Sequence, residues 1–240
     1  MRSPISLLHL LRIAAITSCL AIHAVAVAQP LPLSSPAVEG FSDTRLKRLD
    51  TYLQSVTDSG SYLGAVTLIA RNGKIVEWRA YGNRDIARKS SMAPDSIFRI
   101  YSMTKTVASV AVLVLMEEGK LTLEDPVGKF LPAFNDMKVF AGGSADKPQV
   151  RPPVRPITIR HLLTHTAGFA TSGKQGDEAV KLFNRYDLHQ SPKLKAYAEY
   201  VAKQPLAVDP GTKFSYDGVS LEVLSYLVEV VSGMPFDAFL

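Results

Sequence analysis

The sequence predicts an α/β region followed by a mostly helical one, and three observations carry that reading. A one-faced helix and a two-strand hairpin open the chain after residue 42, and from Tyr101 onward the apolar spacing is helical. A sheet of two strands does not stand alone in water, so the chain reads as the front portion of a longer protein. Its 240 residues, 47% apolar and 20% charged, allow a sizeable core and exclude a disordered or fibrous chain.

Residues 1–28 have the layout of a secretory signal. Arg2 and Arg12 precede an apolar run, Ile13–Ala28, which ends in the small-x-small triplet Ala26-Val27-Ala28. A membrane anchor is the alternative, but the run is shorter than the ~20 residues a bilayer needs. Ile16-Thr17-Ser18-Cys19 is a loose lipoprotein-type cleavage site, although apolar sequence continues beyond Cys19. The expectation is export to the periplasm or medium, with a lipid anchor at Cys19 as the lesser reading. With the only cysteine in the leader, the remainder has no disulfide, thiol nucleophile or cysteine metal site. Net charge is +5, falling to +3 without the leader, and no basic block stands out, so nucleic acid is not an expected partner.

Residues 29–42 read as an extended Pro/Ser linker. Asp43 is placed to cap a helix with Leu46, Leu49, Leu53 and Val56 on one face, ended by Ser59-Gly60. Two apolar strands, 64–71 and 74–81, flank Asn72-Gly73, the strongest short hairpin signal. Trp78 is assigned to the core. Residues 43–100 thus form the front of a sheet region, and 101–240 a mostly helical region. Within the latter, Val107–Met116 is apolar on every side, which predicts a helix buried all round, closed by Gly119. Residues 141–156, with two Gly and four Pro, read as a loop, and no convincing strand occurs after residue 81. Two more helices are expected, about 192–204 and 220–232.

The chemistry centres on Ser102-Met103-Thr104-Lys105. On a helix, positions i and i+3 share a face, so the Lys105 amine reaches the Ser102 hydroxyl. Burial would disfavour the ammonium and let the amine take the serine proton. Free N–H groups at the helix N-terminus suit an oxyanion. The motif alone is weak: Ser144-Ala145-Asp146-Lys147 shares it but lies in the Gly/Pro stretch, and a helix-cap role for Ser102 fits the spacing equally well.

Context decides. Phe98–Thr106 resembles the nucleophile segment of the class C β-lactamase and family VIII carboxylesterase group of serine hydrolases. Gly119–Val127, Ile157–Phe169 (with Leu162-Leu163-Thr164-His165-Thr166) and Pro210–Tyr216 resemble its later landmarks, in order, over about residues 64–235. The resemblance implies a β-lactamase/transpeptidase-like fold, an α/β region plus an all-α region with the site between them. It implies that Ser102 is the acylated nucleophile, Lys105 its activating neighbour, and Tyr216 the phenol that shuttles protons; on residues alone a core or turn tyrosine is the better reading of Tyr216, and only the matched context lifts it. A third motif, of Lys-Thr-Gly or His-x-Gly type, with the second oxyanion N–H and the remaining strands of the antiparallel sheet, is expected beyond Leu240, so these 240 residues alone are expected to be weak or inactive.

One departure matters. The Tyr-x-Asn of the β-lactamases and peptidases reads Tyr216-Asp217-Gly218, without the amide, which favours esters over β-lactams. The expected partner is a small ester or amide substrate, foremost a short ester cleaved by a carboxylesterase. A β-lactamase or D-Ala-D-Ala carboxypeptidase is the alternative, and a non-catalytic cell-wall binding protein the second. His161 and His165 sit four apart, but Leu162 stands where a metalloprotease helix carries Glu, so neither metal nor cofactor is implied. Through the resemblance, His165 fixes a turn beside the site. Arg99 and Lys213 are read as solvated or structural charges.

Overall fold

The computed structural model describes residues 30–172, 177–185 and 193–240; the leader, Cys19 and Pro192 lie outside them. The chain divides into two compact units, one ending at Phe98 and one running from Arg99 to Leu240.

The first unit is a helix on a hairpin. Helix α1, Asp43–Asp58, is capped by Ser42, whose Oγ accepts from the Arg45 N–H at 3.4 Å; Asp43, read from sequence as the cap, instead sits in the first turn, where its charge suits the helix dipole. Leu46, Leu49, Leu53 and Val56 form its half-buried face, as their spacing requires. Strands β1, Gly64–Arg71, and β2, Lys74–Asp85, pair antiparallel, closed by Arg71 opposite Lys74. Asn72 at φ 53° and Gly73 at φ 70° make the left-handed turn that this dipeptide is selected for. The short β3, Ser90–Ser91, extends the sheet on the β2 side. Asp50 of α1 ties helix to sheet, accepting from Arg79 Nη1 at 2.6 Å and from Tyr81 Oη at 2.6 Å. Burial, and then the carboxylate beside it, push the Tyr81 phenol up to about 12.

Two sequence expectations fail in this unit. The stretch read as a linker lies against the hairpin: Leu33 bridges Ile75, and buried Glu39 accepts from Ser34 Oγ (2.8 Å), Asn72 Nδ2 (2.9 Å) and Lys74 Nζ (2.9 Å). These donors, Lys74 foremost, hold the Glu39 carboxyl down at about 2. Trp78 is not core but 45% exposed. Alternation on β2 puts Arg79 and Tyr81 on the α1 side and Trp78 on the opposite face, where its indole N–H donates to the Pro94 carbonyl at 3.2 Å.

The second unit packs helices around α6, Val219–Ser232. Helices α2 (Thr104–Glu117), α3 (Ile159–Leu163) and α5 (Leu194–Ala202) all contact it. Leu115, Ile159, Leu162, Leu224 and Leu227 are fully buried there, each contributing about 1.5–3 kcal/mol by leaving water. Gly119 (φ 72°) and Gly233 (φ 75°) end α2 and α6 in the left-handed conformation glycine tolerates best. Helix α4, Glu178–Phe183, and the one-turn α7, Phe236–Phe239, complete the set among the described residues.

Residues 141–156 are not simply a loop. Val139–Ser144 (β4) and Lys147–Arg151 (β5) form a hairpin, with Pro148 opposite Gly143 and a bulge between Phe140 and Gly142. Every β5 residue is exposed, so no alternating pattern betrays the strand. Polar anchors hold the hairpin: Arg151 pairs with both oxygens of Asp209 (3.0 and 2.5 Å), and the Ala145 N–H donates to Glu178 at 2.7 Å. Nor is α2 buried all round. Ala108, Ala111, Val112 and Leu115 are buried, whereas Val107, Val110 and Leu113 are at least 40% exposed. The small alanines allow close approach on the packed side, and the larger residues find no cover among the described residues.

Candidate active site

Ser102 lies in a 3₁₀ turn, Tyr101–Met103, that leads directly into α2. Tyr101, just before it, has φ 45°, a left-handed conformation that is strained for a bulky residue and presents Ser102 at the surface. Lys105, in the first turn of α2, points the same way: its Nζ donates to Ser102 Oγ at 3.2 Å. The burial expected of Lys105 is partial: it is half-buried, because the cover over α2 among the described residues is one-sided, and Ser102 is exposed.

Tyr216 completes the cluster. Lys105 Nζ stands 4.8 Å from the centre of its ring. Hydrogen bonds to the Tyr216 phenol from Ser102, then from Lys105, pull it below the ordinary tyrosine range, because both stabilise the phenolate. All three sequence-identified residues therefore meet, 114 positions apart at the extremes.

The segment carrying Tyr216 is held by the turn after α3. Gly211 N–H donates to the Thr166 carbonyl (2.8 Å) and Ser215 N–H to the His165 carbonyl (2.9 Å). His165 itself has φ 53°, and its ring lies against Tyr216 with centroids 4.8 Å apart. Its Nδ1 faces Asp217 Oδ2 at 3.3 Å. His161 is used otherwise: Nδ1 accepts from the Thr158 N–H at 3.1 Å in a reciprocal cap of α3. Burial, then the Arg155 charge, lower its pKa. The two histidines thus serve separate local structures, and among the described residues no three His, Cys, Asp or Glu are grouped to hold a metal. Arg99 and Lys213 are exposed.

Sequence reasoning missed the work of Asp217. It is buried, accepting from Ser220 N (2.6 Å) and Ser220 Oγ (3.0 Å) at the start of α6. Asp with Ser three residues later, ahead of an apolar helix, was the available cap signal. Beside Ser102 and Lys105 opens a pocket of about 410 Å³, with Ala108, Leu194, Gly218 and Leu221 in its wall.

A fold of this kind, with a serine and lysine one turn apart at a helix tip and a tyrosine across from them, defines a class. Residues 49–240 match the β-lactamase family, and the chain belongs to that family, with its β-lactamase/transpeptidase-like fold. Esterase EstB of Burkholderia gladioli is 33% identical over 196 residues, 80% of this chain and 46% of that one. A Salmonella enteritidis protein provisionally named D-alanyl-D-alanine carboxypeptidase is 29% identical over 238 residues, 95% of this chain and 51% of its own. Among solved structures, EstCE1, a hydrolase with promiscuous acyltransferase activity, superposes with a TM-score of 0.67 at 31% identity, covering 81% of this chain and 49% of that one. The chain spans about half the length of the relatives it matches. No helix among the described residues is long and apolar enough to cross a membrane.

Proposed function

We propose that this chain carries the nucleophile half of an exported serine hydrolase, a carboxylesterase acting on short esters. The observation that carries the reading is the meeting of three groups: Lys105 Nζ donates to Ser102 Oγ at 3.2 Å and stands 4.8 Å from the centre of the Tyr216 ring. Ser102 Oγ attacks the acyl carbonyl and forms the acyl–enzyme ester; its proton passes through the Tyr216–Lys105 pair to the leaving alkoxide as the ester C–O bond breaks. Water then adds to the acyl–enzyme, giving its proton to Tyr216. The carboxylic acid leaves, and Ser102 regains its hydrogen. Lys105, as the cation beside the phenol, favours the phenolate that takes these protons.

Preference for esters rests on Tyr216-Asp217-Gly218, where no side-chain amide is offered to a substrate and Asp217 is spent on α6. The carboxypeptidase or β-lactamase reading is favoured by the several Salmonella relatives of that provisional name and by the description of the matching family. The test is the protein expressed from its full coding sequence, assayed on p-nitrophenyl butyrate and on a chromogenic cephalosporin. Ester turnover abolished by Ser102→Ala, with a fluorophosphonate probe found on Ser102, is expected. Rapid turnover of the cephalosporin alone overturns the ester preference; no labelling, and no effect of Ser102→Ala, returns the non-catalytic reading. Processing near Ala28, seen by N-terminal sequencing of exported protein, tests the leader.

A further inference from the structure

Gly218 is a glycine that its own backbone does not demand. Its φ of −90° and ψ of −26° are ordinary right-handed helical values open to any residue. A Cβ placed on it meets nothing within 4 Å. Other glycines near the site differ: at Gly168 (φ 90°) a Cβ would collide with the Val208 carbonyl, and at Gly211 (φ 82°) it would press on the His161 ring. Neither conformation nor packing explains Gly218. What it does adjoin is the pocket beside Ser102, whose apolar wall is Ala108, Leu194, Leu221 and Phe236. The Ser225 hydroxyl, also in that wall, is committed to the Leu221 carbonyl at 2.9 Å. Lys105 and Glu222 supply the charged part of the lining.

We propose that the side chain missing at Gly218 makes the room for the acyl chain of an ester bound at Ser102, so that position 218 sets the longest acyl group the site accepts. This rests on Ser102 being the acylated nucleophile. Hydrocarbon leaving water for an apolar wall gains about fourfold in binding per methylene. Two methylenes, acetyl to butyryl, therefore raise kcat/KM by about 15-fold while the chain still finds wall.

The experiment compares p-nitrophenyl acetate with p-nitrophenyl butyrate on the full-length protein and on Gly218→Ala and Gly218→Val. A ratio of two substrates on one enzyme sample cancels any loss of folded protein. The butyrate/acetate ratio is expected to fall about fourfold in Gly218→Ala, one methyl taking the place of one methylene, and about tenfold or more in Gly218→Val. An unchanged ratio in Gly218→Val overturns the proposal. A second measurement separates it from the reaction: binding of 1-butanol and 1-hexanol to Ser102→Ala protein, followed by NMR shifts. Hexanol binding about 15-fold tighter, with that advantage lost in the Ser102→Ala/Gly218→Val double variant, supports the pocket even where ester hydrolysis survives Ser102→Ala and the nucleophile reading fails. Equal binding of both alkanols to Ser102→Ala protein overturns the pocket itself.

Discussion

Removing the Asp217 carboxylate should loosen α6 and the tyrosine segment together, and the size of the effect can be worked from its bonds. Asp217→Ala strands two buried donors, the Ser220 N–H and the Ser220 hydroxyl, which now reach Asp217 at 2.6 and 3.0 Å. Ser220 is fully buried, so water cannot replace both bonds without entering the helix packing. Loss of a cap costs about 1 kcal/mol, and a buried polar group left unpaired about 1–3 kcal/mol, giving about 2–4 kcal/mol in all. At roughly 2–4 °C per kcal/mol for a domain of this size, Tm should drop by about 5–15 °C. The assay is thermal denaturation monitored by circular dichroism, with Asp217→Asn alongside. Asn keeps an acceptor oxygen for Ser220 and should recover at least half of the loss. A change below about 0.5 kcal/mol in Asp217→Ala, which is what an exposed surface substitution gives, would refute the role assigned to this residue.

Other expectations concern the site and the first unit. Tyr216→Phe removes the group that moves protons while leaving the ring against His165; kcat should fall by at least about 10²-fold with Tm nearly unchanged, as measured by ester hydrolysis and calorimetry. In the wild type the rate should rise with pH through an apparent pKa below the ordinary tyrosine value, because the depressed phenol ionises early, and Lys105→Ala should shift that limb upward. Glu39 has its carboxyl held at about 2 against 4.5, so between those values the unfolded chain binds more protons and stability rises with pH. Its contribution is fully present above about pH 4.5 and lost as pH falls towards 2, and Glu39→Gln should flatten that part of the stability–pH curve.

Much of the fold is legible in the sequence because local chemistry and tertiary structure agree. Asn72-Gly73 forces its turn wherever it stands, and the Leu46–Leu49–Leu53–Val56 stripe has a sheet to cover. Ser102 and Lys105 are separable from Ser144 and Lys147 by the residues on their C-terminal side, an apolar helix in one case and a Pro-containing stretch in the other; the second pair closes the β4–β5 turn, where the Lys147 N–H donates to Ser144 Oγ. The failures share a cause. Hydropathy reports what a residue would gain from burial, not whether a neighbour arrives to bury it, so it overstates the burial of Trp78 and of the outer face of α2. It understates the β4–β5 hairpin for the converse reason, since main-chain pairing and the Arg151–Asp209 contact hold that element with little apolar signal. In Tyr216-Asp217-Gly218 the amide absent from position 218 draws the eye, while Ser220, three residues after Asp217, already marks Asp217 as the acceptor at the start of α6.

The left-handed backbone at Tyr101 and at His165 brackets the reacting groups from both sides. Each such residue stores about 1–3 kcal/mol that the surrounding packing must hold in place. Relaxing either one, with glycine for instance, is a ready route to a hardier protein, but it would also free the hydroxyl and the phenol to drift apart. Selection for robustness and selection for turnover would therefore pull these two positions in opposite directions.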